Sequence, residues 1–292
     1  VYLSITMFPQ VTIVGPGLLG ASLAMALRAR TLSERIVIWA RNPERIEQCM
    51  GMQWCDRAEE DLAKAVTGSS VVVVCTSVAS ISSLVSEIML HASEGMIVTD
   101  VGSVKGPICA SAVESARGAL GAFVGSHPMA GSEKSGMDHA KADLFEGKPC
   151  IITPQEDTPD NATQAVRAFW EALGMKVYSM SPPEHDRSVA HLSHLPHLVS
   201  SSLAHCLDAI PGEWKKLAGR GLLDTTRIAE GDPGLWEQIM AMNKSHLLGS
   251  LSELENSLKL ARERLENGRA DELREFLETG SRFRKSLENT DQ

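Results

Sequence analysis

No apolar run in this chain reaches the length needed to span a bilayer, so no membrane partner is expected. Residues 1–10 lack the basic start and apolar stretch of a signal peptide, and the expected location is the cytoplasm. An excess of positive charge is also missing. The 28 Lys and Arg stand against 37 Asp and Glu, and a net charge of −9 argues against non-specific binding to nucleic acid. An anionic ligand would then depend on a few local cations. The six cysteines, at 49, 55, 75, 109, 150 and 206, include no C-x-x-C pair, so no zinc or redox dithiol site is signalled. Several lie inside apolar runs, as Cys75 does after Val71–Val74, and read as small, reduced, buried hydrophobes. Internal repeats and low-complexity segments are absent as well.

With 43% hydrophobic residues in 292, the chain can bury a sizeable core, as one large domain or two smaller ones. Strand-like apolar runs recur at 11–14, 36–39, 71–75, 96–99, 122–125, 150–153 and 176–180. The first four are continuous rather than alternating, as in strands covered on both faces of a parallel sheet. Helical segments lie between them; Leu19, Leu23, Ala26 and Leu27 share one face after the first run. This alternation predicts a doubly wound α/β domain. The pattern changes at Ser181-Pro182-Pro183. Beyond it, residues 184–210 and 233–288 read as helices, the second broken near Asn267-Gly268, with a stripe of Leu247, Leu251, Leu254, Leu258 and Ala261. The expected organisation is a dinucleotide-binding domain over 1–181 and an all-helical domain over 182–292.

The dinucleotide reading comes from Gly15-Pro16-Gly17-Leu18-Leu19-Gly20, a G-x-G-x-x-G between a strand and a helix. Gly15 permits the tight turn, Gly17 lets backbone approach a pyrophosphate, and Gly20 lets helix pack on strand. The helix start, with Leu18 and Leu19, offers free N–H groups to the phosphates. Thr76 and Ser77, after the 71–75 run, join the cofactor set. An NAD site usually ends its second strand with an acid that binds the ribose 2′-OH. Here Trp39 is followed by Ala40, Arg41 and Asn42. Arg41 would attract a 2′-phosphate and can grip it with its planar fork, which favours NADP, with NAD as the alternative.

Three further segments concentrate polar residues. The first is Asp100-Val101-Gly102-Ser103-Val104-Lys105. The second is Ser126-His127-Pro128-Met129-Ala130-Gly131-Ser132-Glu133. The third combines Ser193-His194-Leu195-Pro196-His197 with Asp224-Thr225-Thr226-Arg227-Ile228-Ala229 and Asp232-Pro233. Together, and in this order, they resemble the prephenate and arogenate dehydrogenases from the glycine loop to about Asn243. The resemblance implies a Rossmann-like domain with a C-terminal helical dimerisation domain, hence a homodimer. It also implies NAD(P)-dependent oxidative decarboxylation of prephenate or L-arogenate, giving 4-hydroxyphenylpyruvate or tyrosine.

The chemistry suits the residues. A group near the ring hydroxyl must take its proton, and histidine titrates in the right range, so His127 is the expected base. Ser103 matches the family serine beside the nicotinamide, where it can orient that histidine. Arg227 can clamp a substrate carboxylate; an ion pair with Asp224, three residues earlier, is the other reading. His197 matches the family's substrate-pocket histidine. Glu133 and Asp224 match acids at the entrance or across the dimer, and His185 is placed at the entrance. Lys105 reads equally well as a solvated charge. His191, His194 and His197 have a spacing that a metal site can use, but Pro196 disrupts the geometry and no cysteine completes a ligand set, so no metal is expected. Two other readings stay open: a two-domain NADP-dependent dehydrogenase of small hydroxy acids, and a catalytically silent NADP-binding sensor.

Overall fold

The structure is a computed structural model that describes residues 8–131 and 136–288. Six strands, β1 (Phe8–Val14), β2 (Ser33–Trp39), β3 (Arg57–Glu59), β4 (Val71–Val74), β5 (Ile97–Asp100) and β6 (Ala122–Phe123), form a parallel sheet in the order β3-β2-β1-β4-β5-β6. This is the doubly wound Rossmann order, with its reversal between β1 and β4. The register sets the working edge. Val14 lies opposite both Trp39 and Val74, and Val74 lies opposite Asp100. The carboxyl ends of β2, β1, β4 and β5 therefore line up, and the loops carrying Arg41, the glycine motif, Thr76–Ser77 and Ser103 leave from one side of the sheet.

The continuous apolar runs are covered on both faces, as expected. One cluster joins Val11, Ile13, Ile36, Ile38 and Val73 to the helix Leu18–Ala29. The other joins Val14, Val37, Val72, Val74 and Val98 to the helices Val78–Leu90 and Gly106–Ala116.

The 122–125 run does not continue as one strand. The chain leaves β6 at Val124 and enters β7 (Gly125–Pro128), which pairs antiparallel with β8 (Pro149–Thr153); β8 pairs parallel with β9 (Lys176–Ser179). The passage needs Gly125, because a Cβ there would lie 2.5 Å from Thr153 Oγ1. The short strand β3 carries no apolar run, which is why sequence pattern passes over it.

The Ser181-Pro182-Pro183 signal opens a helix, Pro182–Val189, with Ser181 accepting a hydrogen bond from Glu184 N. This continues through a π-turn, Ala190–His194, into the helix Leu195–Asp208. Pro196 has no N–H to return to the turn before it, and the wider turn accommodates that missing bond. Asp232-Pro233 is a second helix start: Asp232 Oδ1 accepts from Leu235 N at 2.7 Å ahead of the helix Pro233–Met242.

By contacts the chain divides into two compact units, 1–243 and 244–292, so the change of pattern at 181 falls inside the first. In the second, the helices Lys244–Glu266 and Ala270–Glu288 meet at Gly268, whose φ of +64° ends the first helix. Leu258, Leu277 and Phe283 on these helices are exposed. Among the described residues no helix is long and apolar enough to cross a membrane.

Candidate active site

At the glycine loop, Gly15 has φ +99°, and a Cβ there would meet Thr76 Cγ2 at 2.8 Å. A Cβ on Gly20 would lie 2.1 Å from Gly15 O, so the helix sits directly on the turn. Gly17 is different: a Cβ there would meet nothing within 4 Å. Gly17 also caps the helix Leu18–Ala29 with no side-chain hydrogen bond. Open space in front of uncapped N–H groups is what a pyrophosphate requires, so these residues fit a dinucleotide. Thr76 Oγ1 is buried beside Gly15 without a hydrogen-bond partner among the described residues. Ser77 caps the next helix and is exposed. Arg41 is exposed just past β2, and Asn42 beside it caps the helix Pro43–Met50 by accepting from Glu44 N at 2.9 Å.

A buried network starts where β5 ends. Asp100 is fully buried and accepts from Gly102 N at 2.8 Å, from Ser126 N at 3.1 Å and from Lys105 Nζ. Lys105 is 0% exposed, so the reading of it as a solvated charge is wrong. Its ammonium is neutralised by Asp100 and also donates to Ser126 O at 2.8 Å. These bonds fix the strand that carries His127 to the carboxyl end of β5. Ser103, half-buried, lies in the same β5 loop.

His127 does not stand alone. Its Nδ1 is 2.9 Å from His185 Nε2, and His185 Nδ1 is 2.8 Å from Asp186 Oδ1. His185 is fully buried, which corrects its placement at the entrance: it lies behind His127. Asp186 also accepts from Lys105 N at 2.7 Å and Gly106 N at 2.8 Å. Burial works to raise its carboxyl pKa, but the bonds from His185 and the two backbone N–H groups prevail and hold it below the usual range.

Ionised Asp186 fixes the protons down the line. It accepts from His185 Nδ1–H, so His185 Nε2 is bare. His127 must then donate through Nδ1, which leaves its Nε2 as a bare base. Burial first, then the charges of His185, Lys105 and His194, push the His127 pKa well down, so the ring stays neutral and able to accept a proton.

The helical segments add a second group. His197 stacks on Trp236 with ring centroids 3.6 Å apart and 13° between planes. Gly231 is required there, since a Cβ would come within 2.7 Å of Trp236 Nε1 and 3.0 Å of His197 Cε1. Asp224 and Arg227 are exposed, on the helix Arg220–Thr226 and the 3₁₀ turn Arg227–Glu230 that follows. Ser200 Oγ donates to Thr225 O at 2.9 Å, tying this segment to the helix of His197. The three spaced histidines separate: His191 is exposed and bonds Arg187 O, whereas His194 and His197 are buried. Glu133 lies outside the described residues. Sequence reading passed over Asp186, Trp236 and Asn243; the nearest signal was the His185-Asp186 pair.

The family model for the prephenate dehydrogenase nucleotide-binding domain matches residues 23–179, and that for the prephenate dehydrogenase dimerization domain matches 181–279. The chain belongs to the prephenate dehydrogenase family. This family member is 28% identical over 289 residues to the cyclohexadienyl dehydrogenase of Zymomonas mobilis, covering 97% of each chain. A prephenate dehydrogenase of Aquifex aeolicus, solved with hydroxyphenyl propionate and NAD+, superposes with a TM-score of 0.89 at 32% identity, covering 98% of this chain and 100% of that one. The arogenate dehydrogenase of Synechocystis superposes with a TM-score of 0.83 at 32% identity, covering 95% of this chain and 99% of that one. The family reading made from the motifs therefore stands, as does its fold of a Rossmann-like sheet followed by helices. The protein is an oxidoreductase with a nucleotide-binding domain.

Proposed function

We propose that this dehydrogenase catalyses the NADP-dependent oxidative decarboxylation of prephenate or L-arogenate to 4-hydroxyphenylpyruvate or tyrosine. The observation that carries this reading is the His127–His185–Asp186 hydrogen-bond line, whose tautomers leave His127 Nε2 without a proton. A bound nicotinamide supplies the hydride acceptor. His127 Nε2 takes the proton of the ring hydroxyl as the C–H bond of the same carbon breaks. The electron pair of the bond to the ring carboxylate then enters the ring, CO₂ leaves, and the ring becomes aromatic. Ser103 orients His127, and Arg227 and His197 hold the substrate in register. From the motif resemblance, Asp224 and Glu133 are assigned to substrate recognition, at the entrance or across the dimer.

The cofactor is held by Gly15, Gly17 and Gly20 with Leu18, Leu19, Thr76 and Ser77. Preference for NADP over NAD rests on Arg41, exposed where an NAD site would carry an acid. The NAD+ of the Aquifex relative keeps the second cofactor in view. The working division into a cofactor half and a substrate half lies near 181, and the enzyme acts as a cytoplasmic homodimer. The match to a dimerization model and the exposed Leu258, Leu277 and Phe283 support a partner of the same kind. Four assays test the reaction: prephenate and L-arogenate, each with NADP and with NAD, followed by formation of reduced nicotinamide. Turnover in at least one is expected, fastest with NADP. Silence in all four, with the dinucleotide still bound, overturns the reading.

A further inference from the structure

His194 is 1% exposed and stands on the π-turn Ala190–His194. Such turns are rare overall and frequent at functional sites. The proton on its ring can be located. Asn243 Nδ2 is 2.7 Å from the backbone oxygen of Asp186, which can only accept, so that atom is the amide nitrogen. The same Nδ2 is 3.1 Å from His194 Nδ1 and donates to it. His194 Nδ1 is therefore the acceptor, and the neutral ring carries its proton on Nε2. That Nε2–H is buried and has no hydrogen-bond partner among the described residues. A buried donor without an acceptor is costly and rare, and it points to a partner that arrives with the ligand.

The surroundings say where the donor serves. The His194 ring packs edge-on to Trp236, the ring on which His197 stacks, with centroids 6.1 Å apart. It is near enough to His127, His185 and His197 for their charges to oppose one another. Burial first, and these neighbours after it, lower the His194 pKa to about 4 against the pull of Asp186. The group is a neutral donor at working pH.

We propose that His194 donates its Nε2–H to the ring carboxylate of the substrate, the group that leaves as CO₂. The proposal deepens the reaction reading above and rests on it. A cation at this point would grip the carboxylate and oppose its loss, because the charge disperses into the ring as the bond breaks. A neutral N–H fixes the direction of the carboxylate with a lighter hold. Arg227 is then left for the carboxylate of the side chain.

The test compares two ligands that differ at the leaving group. Binding of prephenate against 4-hydroxyphenylpyruvate, or of L-arogenate against tyrosine, the second of each pair having no ring carboxylate, is measured by calorimetry on the full chain without dinucleotide. His194→Leu is expected to weaken the carboxylated ligand by roughly ten- to a hundredfold, the range for one hydrogen bond to a charged group. The product should lose less than about twofold. His194→Gln, which keeps an N–H at similar reach, should recover much of the loss. Equal weakening of both ligands would show a structural role, and no weakening of either would show an idle or water-bonded N–H; each overturns the proposal. Failure of the reaction reading looks different: the unaltered chain would bind neither ligand.

Discussion

The glycine loop offers backbone N–H groups at an open helix start. Around His127 the polar atoms are side-chain nitrogens held by buried partners from segments far apart in the chain. At Gly17 an added Cβ would meet nothing within 4 Å, whereas His185, Lys105 and Asp100 are all fully buried. The difference follows from the two tasks. A pyrophosphate needs donors and room, which a turn and a helix end supply locally. A proton acceptor needs one nitrogen bare and its ring held, which takes a chain of hydrogen bonds converging from several elements.

The comparison predicts that damage to the histidine line abolishes chemistry and spares cofactor binding. His127→Asn should lower turnover by about 10²- to 10⁴-fold, the usual worth of a general base, with dinucleotide affinity unchanged in a fluorescence titration. Normal turnover would remove His127 from the mechanism. Lys105→Met strikes the frame beneath. Leaving Asp100 buried and uncompensated should destabilise the fold by about 3–5 kcal/mol, read from denaturant unfolding. A change under about 1 kcal/mol would mean that water reaches Asp100 and the network is looser than described.

These two residues also mark what the sequence could and could not tell. His127 was legible because it lies in a compact motif, Ser126-His127-Pro128, after an apolar run. The glycine loop was legible for the same reason, since turn, strand and helix are all local. Lys105 was not, because a lysine in a Gly- and Ser-containing loop looks the same in sequence whether it is solvated or paired with an aspartate five residues back. His185 and Asp186 sit in a short helix full of charged residues, and only folding brings them to His127, 58 residues away. The second sheet was hidden because the 122–125 run reads through Val124, where the chain in fact changes sheets. Element type follows from periodicity, whereas partnership across the chain does not.

A gentler probe of the buried cluster is pH. The His194 pKa lies below its unfolded value of 6.5, at about 4, so the unfolded chain binds the proton more readily in that window. Stability from keeping this ring neutral is complete above about pH 6.5 and is lost as pH falls toward about 4. His127 and His185, whose pKa values are also lowered, act in the same direction. Melting temperature should therefore fall between these pH values, and His194→Gln should flatten the slope. An unchanged slope in that variant would mean His194 titrates as an exposed ring.

The smallest expected effect belongs to the open half. Arg41→Asp should shift preference from NADP toward NAD by about tenfold or more, as one charge-assisted clamp on a phosphate is lost and an acid is gained. Turnover at saturating cofactor should hardly change, because Arg41 is far from the proton line in chain order and function. Unchanged NADP affinity would sink the 2′-phosphate assignment.

The central claim is that oxidation assisted by His127 is coupled to loss of the ring carboxylate. The most direct measurement follows CO₂ and reduced nicotinamide together from a single charge of prephenate or L-arogenate. Equal amounts released at one rate, both lost in His127→Asn, are the predicted result. Reduced nicotinamide formed without CO₂ would contradict the account and mark the protein as a dehydrogenase of another hydroxy acid.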